Sequence, residues 1–353
     1  MRIVHYLNHG HIANGHVAVA VDLACEQADT GHDVHFVSGR CDFTEVLSRH
    51  GVSYHEVPEE HGALRFVRMA QRLRPILKKI RPDVINAHMV AAALAAKINR
   101  YTLPFKLVTT IHNSFDKQSA LMRVGDRVIA VSDAVSREME ARWVSGRKLR
   151  VVRNGTIGGA RRALFPLERR DLQRPAIVTV AGLHARKGIG DLIAAFETVF
   201  LRQPSAHLYI IGEGPERSIY EAQAAAQTSA PHIHFMGHQD DPRSSLINAD
   251  IFVLASLQDP FPLVLSEARQ MGCAIVATQV GGIPEALWHG DKGVLVPPAD
   301  PPRLAAALID LLEHEPKRAA LGTAASTDIE DIMVGRMSRE TVSIYQEACS
   351  EAA

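Results

Sequence analysis

Short apolar runs recur along the whole chain, and a stretch with helical periodicity separates each from the next. Strands spaced this way cannot close as two-residue hairpins. They are joined by crossovers, so the chain is an α/β protein built from parallel βαβ units. In the first half the pattern predicts strands at residues 3–7, 33–38, 84–87, 107–111 and 127–131. Helices are expected between them, such as 17–30 closed by Gly31 and 64–80 closed by Arg81-Pro82. The pattern then lapses. From Asn154-Gly155 to Arg174-Pro175 the chain is rich in Gly, Pro and charge, which reads as a linker over 155–175. It restarts with strands expected at 177–180, 208–211, 234–236, 251–255, 275–278 and 294–296. Residues 333–353 read as one final helix.

Two sheets from one chain imply two Rossmann-like domains, and 353 residues suffice for two cores. Ligands of open α/β sheets sit beyond the carboxyl ends of the strands, so the cleft between the domains is the expected site. An apolar content of 46% with 22% charge is that of a soluble globular protein. No apolar run is long enough to span a bilayer, and Met1-Arg-Ile-Val-His-Tyr6 enters a strand directly, without a secretory leader. Cys25, Cys41, Cys273 and Cys349 are scattered and read as reduced thiols. These features point to the cytoplasm. The net charge of zero is unevenly spread. Residues 1–170 hold 26 Lys+Arg against 16 Asp+Glu (+10), and the rest 13 against 23 (−10). A basic first half fits an anionic partner, or simply solvated faces. No nucleic-acid partner is expected.

The most specific run is Asp259-Pro-Phe-Pro-Leu-Val-Leu-Ser-Glu267, two acids eight positions apart between apolar strands, followed by Val280-Gly-Gly-Ile-Pro-Glu285. Before it, in order, come Ala181-Gly-Leu-His-Ala-Arg-Lys-Gly188, Ile210-Ile-Gly-Glu-Gly-Pro-Glu216 and Ile233-His-Phe-Met-Gly237. The first half carries Asn8-His-Gly-His-Ile-Ala-Asn-Gly15, Val108-Thr-Thr-Ile-His112-Asn, Ala130-Val-Ser-Asp133 and Val152-Arg-Asn-Gly155. The ordered set resembles the retaining GT-B glycosyltransferases, most nearly glycosyltransferase family 4 (glycosyl transferases group 1). That resemblance implies a GT-B fold, two Rossmann-like domains facing each other across a cleft. Residues 1–165 would bind the acceptor and 170–334 the nucleotide sugar, while a helix at about 335–353 packs back on the first domain.

Breaking the bond between an anomeric carbon and a diphosphate builds negative charge on the phosphates and positive charge on the ring. Fixed cations at the phosphates therefore favour the transition state over the ground state. The resemblance assigns Lys187 to the phosphates, with Arg186 beside it. Gly182 stands where the family carries an Arg, and Arg186 is expected to take over that role. Phe261, Pro262, Leu263 and Val264 should form the loop that leads into a helix, whose N–H groups favour phosphate. Pro262 removes one donor there. Glu267 corresponds to the acid that accepts both ribose hydroxyls. Asp259 and His112 correspond to groups on the donor sugar, His112 near its primary hydroxyl. Asp259 replaces the usual Glu and is one methylene shorter. Gly15 lies in register with the glycine of the first loop, where the backbone approaches the ligand closely. Ser132 reads as a helix cap. No cofactor and no metal are implied, and a front-face route is, in which the leaving diphosphate helps deprotonate the acceptor.

In residues 65–81, Phe66, Met69, Leu73, Ile76, Leu77 and Ile80 fall at helical spacing among seven Arg and Lys. Such a basic amphipathic helix suits an anionic membrane surface. Its apolar stripe equally serves as domain core, the preferred reading, and the two coexist if only the basic flank meets lipid. The functional expectation is sugar transfer from a UDP- or GDP-linked donor to a glycan or lipid-linked acceptor, as in polysaccharide or lipopolysaccharide synthesis. Two alternatives share the fold: a UDP-sugar 2-epimerase, and a nucleotide-sugar-binding protein without turnover.

Overall fold

The structure is a computed structural model that describes residues 1–350 except Ala13, Ala63 and Pro166. It divides into two compact units, one from Met1 to Leu164 joined by the chain end from Glu330 onward, the other Phe165–Ile329.

The first unit is a seven-stranded parallel sheet of β1 (Arg2–Tyr6), β2 (Asp33–Ser38), β3 (Ser53–Glu56), β4 (Val84–Ala87), β5 (Lys106–Ile111), β6 (Arg127–Ala130) and β7 (Leu149–Val151). Their order is β3-β2-β1-β4-β5-β6-β7. β3 and β7, the two edges, were not among the expected strands. The second unit holds a six-stranded parallel sheet of β8 (Ala176–Val180), β9 (His207–Ile211), β10 (Ile233–Gly237), β11 (Ile251–Leu254), β12 (Ala274–Thr278) and β13 (Val294–Val296). Its order, β10-β9-β8-β11-β12-β13, repeats the winding of the first. The central strands are buried on both faces, as parallel sheets covered by helices require.

The first helix, Gly15–Asp29, starts two residues earlier than the apolar period suggested, from an extended Asn14. The last, Val334–Ser350, packs on that helix and on β5. There the Tyr345 hydroxyl accepts a 2.7 Å hydrogen bond from Asn86 Nδ2, and Glu347 pairs with Arg127 and Arg150. The expected end of this helix at 351–353 lies outside the described residues.

The expected linker is only partly one. Residues 155–164 are built into the first unit. Ile157 N donates to Ile332 O (3.1 Å) and Val334 N to Ile157 O (2.9 Å). Asp22, fully buried, accepts from the Arg161 backbone (3.2 Å) and guanidinium (2.9 Å). Gly159 is needed beside it, because a Cβ there would lie 2.4 Å from the Asp22 carboxyl carbon. The glycines that resembled a flexible connector are places where chain passes close to chain.

Helix Arg65–Ile80 buries Met69, Leu73, Leu77 and Ile80 and packs on helix Val90–Arg100. Its stripe is core. Arg65, Arg68, Arg72, Lys78 and Lys79 stay exposed, and Glu60 holds Arg68 (2.7 Å) and Arg72 (2.9 Å).

Candidate active site

In the second sheet the winding reverses between β8 and β11. Two loops leave adjacent strands there in opposite directions and open a crevice at their carboxyl ends. The loop after β8 holds the candidate cations, and the loop after β11 holds the first acid.

The β8 loop is fixed by glycines at close approaches. Ala181 N donates to Ile211 O and Leu183 N to Glu213 O. A Cβ on Gly212 (φ +137°) would sit 2.0 Å from Ala181 O, and one on Gly214 would sit 2.3 Å from Leu183 O. The Gly-Glu-Gly turn is thus required for two loops to interlock. Ala185–Lys187 form one 3-10 turn, closed by Gly188 in the left-handed region (φ +64°), where a Cβ would strike Ala255 O at 2.0 Å. The Arg186 carbonyl accepts from Leu257 N (2.8 Å) and Gln258 N (3.2 Å), which laces this turn to the β11 loop.

The result is an ion pair between Lys187 Nζ and Asp259 Oδ2, with side chains only 14% and 5% exposed. Ser256 Oγ lies 3.5 Å from the same oxygen. The Asp259 backbone is clamped by the Gly-Gly turn that follows β12. Gly282 N donates to Asp259 O (3.1 Å), and Gly281, at φ +52°, passes so close that a Cβ would lie 1.8 Å from that oxygen. The shorter acid is therefore a seated partner of the lysine. Gly182 is half-buried, and a Cβ on it would crowd the exposed His184 ring, at 3.1 Å, and touch Glu213 O at an ordinary 3.8 Å.

Phe261 and Pro262 are buried, but the helix begins sooner than expected. It spans Leu263–Gln270, so Leu263 and Val264 belong to its first turn. Both are half-buried rather than buried, while Leu265 and Ala268 are fully covered. Pro262 is the N-cap (φ −75°, ψ 122°). As the N-cap it does remove one of the four unpaired donors, and since Leu265 N donates to Pro262 O (3.2 Å), the N–H groups of Leu263 and Val264 are those left at the helix start. Glu267 is half-buried, one turn in.

In the first unit, His16, His88, Met89, Thr110, His112 and Asn113 line a pocket at the carboxyl ends of β4 and β5. His112 follows β5 directly. Its Nε2 lies 2.9 Å from His88 Nδ1; His88 Nε2 lies 3.0 Å from His5 Nδ1, and His5 Nε2 lies 2.8 Å from Gln27 Oε1. Neighbouring rings are stacked, with centroids 5.3 and 5.2 Å apart. His112 Nδ1 is buried with no hydrogen-bond partner. Burial disfavours the charged ring throughout: His5 falls to about 4 and His88 well below its ordinary value. His112 falls to about 3, with His16 adding to the effect. Gly15 is exposed and opens the first helix. Ser132 caps helix Asp133–Ala141, accepting from Val135 N at 3.2 Å.

Three contributions escaped the sequence reading. Gly281 and Gly282 clamp Asp259, a contact their local sequence does not reveal. His5 and His88 are polar residues inside apolar runs, a signal that was present but not weighed. Gln27 looked like an ordinary helix residue. Among the described residues no helix is long and apolar enough to cross a membrane.

Residues 174–314 match the family described as Glycosyl transferases group 1, and residues 13–156 match Glycosyltransferase Family 4. N-acetyl-alpha-D-glucosaminyl L-malate synthase of Bacillus anthracis is 24% identical over 342 residues, 89% of each chain. The lipopolysaccharide core biosynthesis glycosyltransferase LpsE of Rhizobium meliloti is 24% identical over 276 residues, 77% of this chain and 76% of its own. Among solved structures, Anabaena HepE in complex with UDP and glucose superposes with a TM-score of 0.83 at 18% identity, over 98% of this chain and 100% of its own. The fold of both units is that of the GT-B glycosyltransferases.

Proposed function

This chain belongs to the glycosyltransferase group 1 family (family 4), and on that premise we propose that it moves a sugar from a UDP- or GDP-linked donor to a glycan or lipid-linked acceptor with retention. The observation that carries the reading is the Lys187–Asp259 pair at the β8/β11 reversal, beside a helix N-terminus opening at Leu263. Lys187 and the first-turn N–H groups hold the departing diphosphate. Arg186, one residue before Lys187, adds charge, and Glu267 takes the ribose. Asp259 and His112 meet the donor sugar. The anomeric C–O bond to phosphate breaks, and the acceptor oxygen bonds to the same face. The acceptor's proton passes to a phosphate oxygen of the leaving diphosphate. Asp259 is a poor nucleophile for a two-step route, since it is nearly fully buried and bound to Lys187.

Kinship with LpsE supports an acceptor from polysaccharide or lipopolysaccharide synthesis. The exposed basic flank of helix Arg65–Ile80 supports contact with an anionic membrane surface at its cytoplasmic face, where a lipid-linked acceptor would be found.

A thermal-shift screen of UDP-, GDP- and ADP-sugars tests the donor. A site ligand at 100 times its Kd stabilises by about 2.7 kcal/mol, so one nucleotide series should raise Tm by several degrees. Transfer assays with the stabilising donor should then release nucleotide only when an acceptor is present. Unchanged melting with every series at millimolar levels would defeat the reading.

A further inference from the structure

We infer that Gln27, His5 and His88 form a hydrogen-bonded line that fixes the tautomer of His112, so that His112 presents a bare Nδ1 lone pair to the donor sugar and selects a hydroxyl there over a carboxylate. The inference rests on the reading that His112 meets the donor sugar.

The polarity follows from one atom at the far end. Gln27 Oε1 faces His5 Nε2 at 2.8 Å, and a carbonyl oxygen only accepts, so His5 Nε2 carries the proton. A neutral imidazole has one N–H. His5 Nδ1 is then an acceptor, and the nitrogen 3.0 Å away, His88 Nε2, must donate to it. The same step makes His88 Nδ1 an acceptor and His112 Nε2 its donor at 2.9 Å. One N–H per ring, all pointing toward Gln27, satisfies every ring contact along the line with the amide oriented as it is, its Oε1 toward His5 and its Nε2 buried without a partner. It leaves His112 Nδ1 unprotonated, and this is the nitrogen that is buried without a partner in a ring lining the pocket.

The line is built by the fold. β1, β4 and β5 are neighbours in the sheet; His5 lies within β1, and His88 and His112 follow the ends of β4 and β5. Gln27 reaches His5 from the helix that covers this face. His5, Gln27 and His88 are at most 4% exposed. A proton added at a nitrogen inside the line would place two N–H groups face to face, and burial disfavours a charged His112 ring even at its unpartnered Nδ1, so the line stays neutral. His16 tilts toward the His112 ring, and Asp116 lines the same pocket.

A fixed acceptor recognises a group that can donate. A hydroxymethyl on the sugar donates to Nδ1. A carboxylate at the same carbon would set lone pairs against a lone pair, and a sugar lacking the carbon would leave the nitrogen unsatisfied. His5, Gln27 and His88 are positioning residues in this scheme; they touch His112 or each other.

Long-range 1H–15N spectra of the 15N-histidine-labelled, ligand-free protein at neutral pH read the tautomers directly. His5, His88 and His112 should all carry the proton on Nε2. A His112 protonated on Nδ1, as the reverse line with the amide turned round would give, overturns the polarity, and so does a charged ring. Donor binding then separates this from its premise. Nucleotide sugars with a hydroxymethyl, no substituent or a carboxylate at that carbon should bind in falling order, with the first at least tenfold tighter than the last. Gln27→Met and His88→Leu should shrink that ratio severalfold and leave the affinity for the bare nucleotide diphosphate unchanged, while Gln27→Glu, which keeps an acceptor, should retain it. A ratio that persists in Gln27→Met and His88→Leu means the line does not act on the sugar. A ratio untouched by His112→Ala sinks the premise itself, whatever the spectra show.

Discussion

The Lys187–Asp259 pair makes a prediction in which stability and binding move in opposite directions. At a contact of about 3 Å and an effective dielectric of about 20, two unit charges attract by about 5 kcal/mol. Their side chains are 14% and 5% exposed, so solvent screens little of this. In Lys187→Ala the Asp259 carboxylate stays where the Gly281-Gly282 turn clamps it, buried and unpaired, and the cost is about 3–5 kcal/mol. Asp259→Ala costs less, about 1–3 kcal/mol, because the lysine stem lets its ammonium reach water. Lys187→Met combined with Asp259→Leu removes both charges at similar volume and should fall within about 1 kcal/mol of wild type. Urea unfolding of the single and double variants measures the cycle. Binding separates the roles. If Lys187 serves the diphosphate, Asp259 competes with the nucleotide for it. Asp259→Ala should then bind UDP or GDP more tightly than wild type, by up to about tenfold, while sugar transfer falls for want of the sugar contact. Lys187→Ala should lose both. Calorimetric titration gives the affinities. Equal destabilisation in the double and the Lys187 single variant, or weaker nucleotide binding in Asp259→Ala, would refute this account of the pair.

Gly281→Ala adds a Cβ 1.8 Å from Asp259 O at φ +52°, so it should cost at least about 1–3 kcal/mol of strain and displace Asp259; urea midpoints and donor KM should both worsen. Gly182→Arg restores a cation after β8 where only the exposed His184 ring must move, and calorimetry should find the nucleotide diphosphate bound severalfold tighter with stability little changed. Acid should loosen the first unit. His5 is held at about 4 against 6.5 when unfolded, so unfolding takes up a proton between those values, and stability is lost as pH falls below about 6.5. At pH 5 the loss from His5 alone is about 2 kcal/mol, and His112 and His16 act in the same sense. Hydrogen exchange of β1, β4 and β5 from pH 7.5 to 5 should show it, and flat protection would contradict it.

What the sequence made legible, and what it hid, follows from how far each signal reaches along the chain. A buried parallel strand is written in its own residues, so β2 and β4 were placed to the residue and the other internal strands to within one, while the edge strand β13 keeps a short Val-Leu-Val run of its own. Edge strands such as β3 (Ser53–Glu56) and β7 (Leu149–Val151) expose part of their surface and lose the apolar run that betrays a strand. Lys187 and Asp259 were recognisable from local motifs, but that they pair depends on β8 and β11 being neighbours, a fact of winding order. Gly155 and Gly159 carried the local signature of a flexible connector, whereas a Cβ at either would collide with Met333 or Asp22, residues distant in sequence. The histidine line lies furthest out of reach, since it needs the register of three strands and one helix at once. A lone His inside a strand reads as a satisfied core residue. Only when β1, β4 and β5 are laid side by side do His5, His88 and His112 become a single polar object that ends in a ring lining the pocket. Polar residues inside apolar strands are therefore the sequence signal most worth carrying forward to a structure, because burial obliges each of them to have a partner, and an acceptor nitrogen left without one in a ring that lines a pocket marks where a ligand's donor belongs.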